Sequence, residues 1–108
     1  MKITIDCAEI NFNNEKSYIV IKNGAENLEV LEILMRMMQS CRIEEDSSFK
    51  RENEDIIVYI PKLTKDTCNI IYSSILQKDA IIFQFKHVKI DGYNFYNRIN
   101  MLRKQLFE

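Results

Sequence analysis

The one histidine, His87, stands beside Lys86 and close to Lys89. A neighbouring cation lowers an imidazole's pKa and keeps it neutral, the state in which it can act as a general base. Catalysis of that kind also needs a nucleophile or an orienting carboxylate, and the sequence assigns His87 neither. It is therefore expected to have no catalytic task. Cys7, Cys41 and Cys68 show no CxxC and no close Cys/His spacing. A reactive thiolate needs an electropositive, accessible setting, so thiols on inward faces or at a helix end read as structural. Their odd number argues against a disulfide framework and fits a reducing compartment.

Carboxylates cluster at Glu44, Glu45, Asp46 and again at Glu52, Glu54, Asp55. They lack the DxDxDG spacing with a distal Glu that a calcium loop uses, so a solvated loop is expected. Mimicry of nucleic-acid phosphates by this cluster is weakened by Arg42, Lys50 and Arg51, which dilute its field. No GxxxxGK[ST], GxGxxG, HExxH or GxSxG occurs, and two glycines in total nearly exclude a backbone phosphate cradle. No cofactor and no metal are expected.

The C-terminal segment is richer. Lys86, Lys89, Arg98, Arg103 and Lys104 alternate with Tyr93, Phe95, Tyr96 and the amides Asn94, Asn97 and Asn100. Cations for phosphates, aromatics for stacking and amides for base edges are the ingredients of nucleic-acid recognition. The sequence pI near 5.9 is low for that task, and Phe95 is needed for a core. Tyr and Arg are also the commonest anchors of protein interfaces, so Lys86, Lys89, Tyr93, Tyr96, Arg98, Arg103 and Lys104 are the candidate partner-binding residues.

The elements that must position these groups follow from periodicity. Lys2 to Cys7 alternates as a half-buried strand and should pair with Tyr18 to Lys22 as a hairpin. Asn23 as N-cap and Glu26 at N3 open a helix to Ser40 whose polar side is a narrow stripe of Glu29, Glu32, Arg36 and Gln39. So wide an apolar surface must be covered from two sides, by a sheet and by another helix or a second molecule. Residues 42 to 55, with 9 charged groups, read as an exposed loop or a frayed helix end. Ile56 to Ile60 reads as a central strand covered on both faces.

Thr64 is an N-cap with Leu63 and Cys68 as a hydrophobic staple, and Cys68, Ile71, Tyr72 and Ile75 share one face of a helix to about Lys78. Ala80 to Ile90 reads as a long strand in which Ile81, Phe83 and Phe85 point one way. Val88 and Ile90 fall in the opposite phase, which requires a bulge near Lys86 and His87. After Asp91 and Gly92, Phe95, Ile99, Leu102 and Leu106 form the stripe of a terminal helix. The expected order is β-β-α-β-α-β-α: an α/β (α+β) single compact domain over residues 1–108, with a mixed sheet of about four strands and packed helices.

Composition limits the function classes. A chain of 108 residues with 46% hydrophobic residues and formal charge −1 is an ordered globular protein. Its longest aliphatic run falls far short of the roughly 20 residues that span a bilayer, so no membrane partner is expected and the location read is cytoplasmic. Charge is uneven: residues 1–60 carry 7 Lys/Arg against 12 Asp/Glu, and residues 61–108 carry 8 against 4. Opposed halves can steer a partner or a second copy. The preferred function is a cytosolic, non-enzymatic interaction module that occupies a surface of another protein and forms a homo-oligomer, with Met37, Met38, Phe95, Ile99, Leu102 and Leu106 as self-association contacts. Seventeen Ile and ten Asn resemble translation from an A/T-rich genome. With the small size, this suggests a phage or mobile-element inhibitor of a host protein. The alternative is a nucleic-acid-binding accessory or regulator that uses the basic C-terminal segment.

Overall fold

Asp6 turns the chain at φ 53°, a left-handed conformation that Asp tolerates better than most residues, between strands β1 (Lys2–Ile5) and β2 (Ala8–Asn11). A computed structural model describes the backbone of residues 1–13, 15–87 and 89–108, and the side chains of 1–13, 15–85 and 95–108. The expected single strand before residue 8 is thus only the first arm of a tight hairpin. It pairs with β2, and β2 in turn pairs with β3 (Tyr18–Ile21). The expected direct pairing of the first strand with Tyr18 to Lys22 does not form.

After a 3-10 turn, Gly24–Glu26, helix α1 runs Leu28–Ser40. Asn23 is not its cap: it adopts φ 51°, and the residue before the helix is Asn27, whose amide donates to the carbonyls of Lys22 at 2.8 Å and Asn23 at 3.2 Å. Gly24 explains the delay. A Cβ there would lie 2.4 Å from Ile56 Cγ1, so this backbone is pressed onto the sheet before the helix can start.

The charged stretch after α1 is only partly loop. It contains β4 (Ser48–Glu52), joined by a turn with Asn53 at φ 57° to β5 (Asp55–Tyr59). The sheet order is β1-β2-β3-β5-β4, five strands with every neighbouring pair antiparallel, in place of the expected mixed sheet of about four. β4 is an edge, and Lys50, Arg51 and Glu52 give it the charge that keeps edges from pairing with other chains. β5 is interior to the sheet, yet it alternates buried Ile56 and Val58 with half-buried Ile57 and Tyr59, so only one face is fully covered.

Three helices complete the chain: α2 (Lys65–Leu76), α3 (Lys78–His87) and α4 (Lys89–Phe107). The segment expected as a strand from Ala80 is helical over 80–87 and again from Lys89, and Asp91 and Gly92, expected to break the strand, lie within α4. Only Gln77 separates α2 from α3, and the Ile81 amide donates to the Gln77 carbonyl at 3.1 Å, so nothing turns the chain back toward a sheet edge. The side chains at the expected bulge, Lys86 and His87, lie outside the described residues. α2 touches β1 and β2, α4 touches β4, and α1 lies in contact with all three other helices. One buried cluster joins Ile10, Ile19, Ile21, Ile56 and Val58 of the sheet to Leu31, Leu34 and Met38 of α1, Cys68, Ile71 and Ile75 of α2, and Phe95, Ile99 and Leu102 of α4. The architecture is α+β, an antiparallel sheet with a helical layer. The second cover of α1 comes from its own chain.

Candidate functional site

Glu32, Met35, Arg36 and Gln39 recur at three- and four-residue spacing and so share one side of α1. Glu32, Arg36 and Gln39 belong to the narrow polar stripe read from the sequence; α4 lies alongside it, and Glu32 is only 3% exposed. Asn97, Arg98 and Met101 of α4 face these residues across an open cleft of about 250 Å³.

Glu32 holds two guanidinium groups. Arg36 Nε–H donates to its Oε1 at 3.0 Å, one turn along α1. Arg98 Nε stands 3.6 Å from Oε2, an ion pair without a hydrogen bond, and Oε2 is buried with no hydrogen-bond partner. The Arg98 Nη2 lies 3.9 Å from Met35 Sδ, a weak contact. Arg36 is held from its other side, with its guanidinium carbon 4.5 Å from the centre of the Phe85 ring, a cation–π arrangement. Phe85 in turn packs on Phe95 with ring centres 5.2 Å apart. Burial pushes the Glu32 carboxyl above the ordinary glutamate value, while the charges of Arg36 and Arg98 and the Arg36 hydrogen bond pull it back only in part.

One carboxylate faces two guanidiniums, so among the described lining residues the cleft keeps one uncompensated positive charge. Glu32 meets both at Nε, and the paired Nη–H groups of a guanidinium are a planar donor fork that carboxylates and phosphates match.

Of the expected partner-binding residues, Arg98 alone is shown lining this cleft. Tyr96 is exposed, but two residues from Arg98 is about 160° around the helix, so it sits on the other flank of α4. Arg103 is exposed and donates to Asn100 Oδ1 at 3.4 Å, and Lys104 is exposed as well. The side chains of Lys86, Lys89 and Tyr93 lie outside the described residues. The expected single patch is therefore divided around α4. The expected self-association contacts are largely consumed inside the chain: Met38, Phe95, Ile99 and Leu102 are buried, and Met37 and Leu106 are half-buried. Glu32, Arg36, Met35 and Met101 were not singled out as a site. The available signal was the Glu32/Arg36 pair set within an otherwise apolar helix.

Cys68 is buried, Cys7 and Cys41 are half-buried, and burial raises the thiol pKa of Cys7 and Cys68. Glu45 and Asp46 pair with Lys62 at 3.2 and 3.7 Å, and Asp55 pairs with Lys22 at 3.6 Å. Among the described residues, no group of three or more His, Cys, Asp and Glu could hold a metal ion, and no helix is long and apolar enough to cross a membrane. No protein-family model matches the chain, and neither a curated protein nor a solved structure matches it.

Proposed function

We propose that this protein is an interaction module that works by occupying a surface of another protein, with the cleft between α1 and α4 at the centre of the contact. The observation that carries this reading is the half-exposed Arg36/Arg98 pair fixed over the buried Glu32 carboxylate. Arg and Met are enriched at the cores of protein interfaces, and Met101, 56% exposed, stands beside Arg98. The burial of Glu32 Oε2 also favours recognition over catalysis, because that oxygen is shut off from a substrate's proton. Association of copies through the expected helix stripe would require core residues to come out, so a homo-oligomer would need another face.

A nucleic-acid reading has one observation in its favour. Tyr18 and Tyr59 lie side by side on neighbouring strands with ring centres 6.0 Å apart, on the sheet face turned away from the helices, and Lys16 Nζ sits 4.5 Å from the Tyr59 ring centre. Adjacent aromatics, here tilted 49° to each other, with a cation beside them offer faces on which bases of a single strand can stack. Glu9, Glu52 and Asp55 share that face and oppose phosphates, so this reading ranks second.

Affinity capture from a lysate of the source cells, with and without nuclease, tests both. A protein retained by the wild type and released by Arg98→Glu supports the cleft reading, and equal retention by the variant removes it. Capture that disappears with nuclease and falls steeply with salt selects the second reading.

A further inference from the structure

We infer that the Arg36/Arg98 cleft takes a carboxylate presented by a partner polypeptide, its C-terminus or an Asp or Glu side chain, with the adjoining aliphatic carbons against Met35 and Met101. This rests on the reading of the cleft as the contact surface. Three features select the ligand. The first is charge: the described lining holds two guanidiniums and one carboxylate, a surplus of one, which a monoanion neutralises. A phosphate monoester carries about −1.5 to −2 near neutral pH and would leave net negative charge beside the buried Glu32. The second is orientation. Glu32 engages both arginines at Nε, at 3.0 and 3.6 Å, and Arg98 Nη2 meets only the Met35 thioether at 3.9 Å among the described residues, a weak acceptor that a planar carboxylate displaces.

The third is Glu32 Oε2, a buried atom of the cleft lining that has an ion pair to Arg98 but no hydrogen bond. Two guanidiniums drawn to one carboxylate repel each other, and Arg98 Nε stands 3.6 Å from Oε2, just beyond hydrogen-bond distance. An anion lying across both Nη edges cancels that repulsion and lets Arg98 close on Oε2. The size is consistent with one chain end or one side chain. About 250 Å³ falls below the roughly 300 to 1,000 Å³ of pockets that enclose whole small molecules. Methionine walls adapt to varied aliphatic stems, so the carboxylate sets recognition and the stem contributes little selectivity.

The test is titration of the full-length protein, followed by NMR at the arginine Nε–H signals. The probes are N-acetyl-Gly-Gly-Leu as free acid, the same peptide as carboxamide, N-acetylglutamate blocked as its α-amide, and inorganic phosphate. Saturable shifts of Arg36 and Arg98 with the free acid, at least about tenfold weaker with the carboxamide, are expected. The blocked glutamate separates the two sources: binding by it as strong as by the free acid assigns a side chain, and weaker binding assigns a chain end. Arg98→Lys keeps the charge but loses the fork, and should weaken the acid about tenfold; Arg103→Ala, outside the cleft, should leave binding unchanged.

Equal binding of acid and carboxamide overturns the inference, as does tighter binding of phosphate, an equal loss in Arg103→Ala, or no saturable shift up to about 10 mM, weaker than the millimolar range of simple fragments. The acid-against-amide comparison uses wild-type protein, so it holds even where a variant fails to fold. If the fragments fail but Arg98→Glu still releases the captured protein, the interface stands and only its carboxylate chemistry falls. If the acid binds and capture ignores Arg98→Glu, the cleft takes carboxylates but is not the docking surface.

Discussion

Arg36 donates its Nε–H to Oε1 of Glu32 at 3.0 Å, and this bond joins the least exposed carboxylate described to a guanidinium that still reaches solvent. The pair is enclosed by α4 on one side and anchored by the Phe85 ring on the other. A buried ion pair of this kind is costly to leave half made, because removing one partner strands the other charge.

Its pH dependence follows. The folded Glu32 carboxyl titrates above its ordinary value of 4.5, chiefly because burial disfavours the charged form. Between the ordinary and the raised value the folded protein binds more protons than the unfolded chain, so this group's contribution falls as pH rises through the raised value. Glu32→Gln removes that dependence and resembles the protonated wild type. Urea denaturation at about pH 4 and about pH 7 should show the wild type losing stability relative to Glu32→Gln on going to the higher pH. A relative gain would contradict the assigned direction.

The double cover of α1 makes a size prediction. Leu31 and Met38 are fully buried, between the sheet and the other helices. Leu31→Ala and Met38→Ala should each cost about 2 to 5 kcal/mol in chemical denaturation, whereas half-buried Met37→Ala should cost about 1 kcal/mol. Equal losses at Met37 and Met38 would mean that the helix face is not divided in this way.

Gly24 and Ile56 should prove coupled. A methyl at Gly24 would meet Ile56 Cγ1 at 2.4 Å, Ile56 Cδ1 at 2.5 Å and Phe107 Cζ at 3.2 Å. Gly24→Ala should therefore destabilise by about 1 to 3 kcal/mol through overpacking. In an Ile56→Ala background the same change should cost less, and a double-mutant cycle measures the difference. Strict additivity would place the strain elsewhere.

The start of α2 offers a local test. Thr64 Oγ1 accepts from the Thr67 amide at 3.2 Å, and Thr67 Oγ1 accepts from the Thr64 amide at 3.0 Å. Thr64→Ala should cost about 1 kcal/mol in thermal or chemical unfolding, with Thr64→Asn close to wild type. A neutral Thr64→Ala would show that solvent replaces the cap without loss.

How much of this was legible in the residues differs between elements. The α1 pattern is unambiguous because eight apolar side chains between Leu28 and Met38 leave a stripe too narrow for solvent, which demands a two-sided cover wherever the helix lies. The Thr64 cap and the Phe95, Ile99, Leu102 stripe are equally local, since capping and helical spacing act within a few residues. The phase break at Val88 and Ile90 already argued against a period of two, and reading it as a bulge preserved a strand that Ile and Phe favour intrinsically. β4 was hidden for the opposite reason: an edge strand needs little burial, so charge that signals a loop also suits its place.

Local periodicity therefore determined that the chain has a broadly apolar helix, a capped second helix and a terminal amphipathic helix, together with β-branched strands around Ile19 and Ile56. The tertiary structure alone decided that α4 would close over the polar stripe of α1. It thereby brought Arg98 to within 3.6 Å of Glu32 across 66 positions of sequence, and sent Tyr96 to the other flank of the same helix. Periodicity specifies which face of a helix avoids water, but not which neighbour covers it. Charges on separate helices become one site only when packing removes the water between them and lets them act at short range.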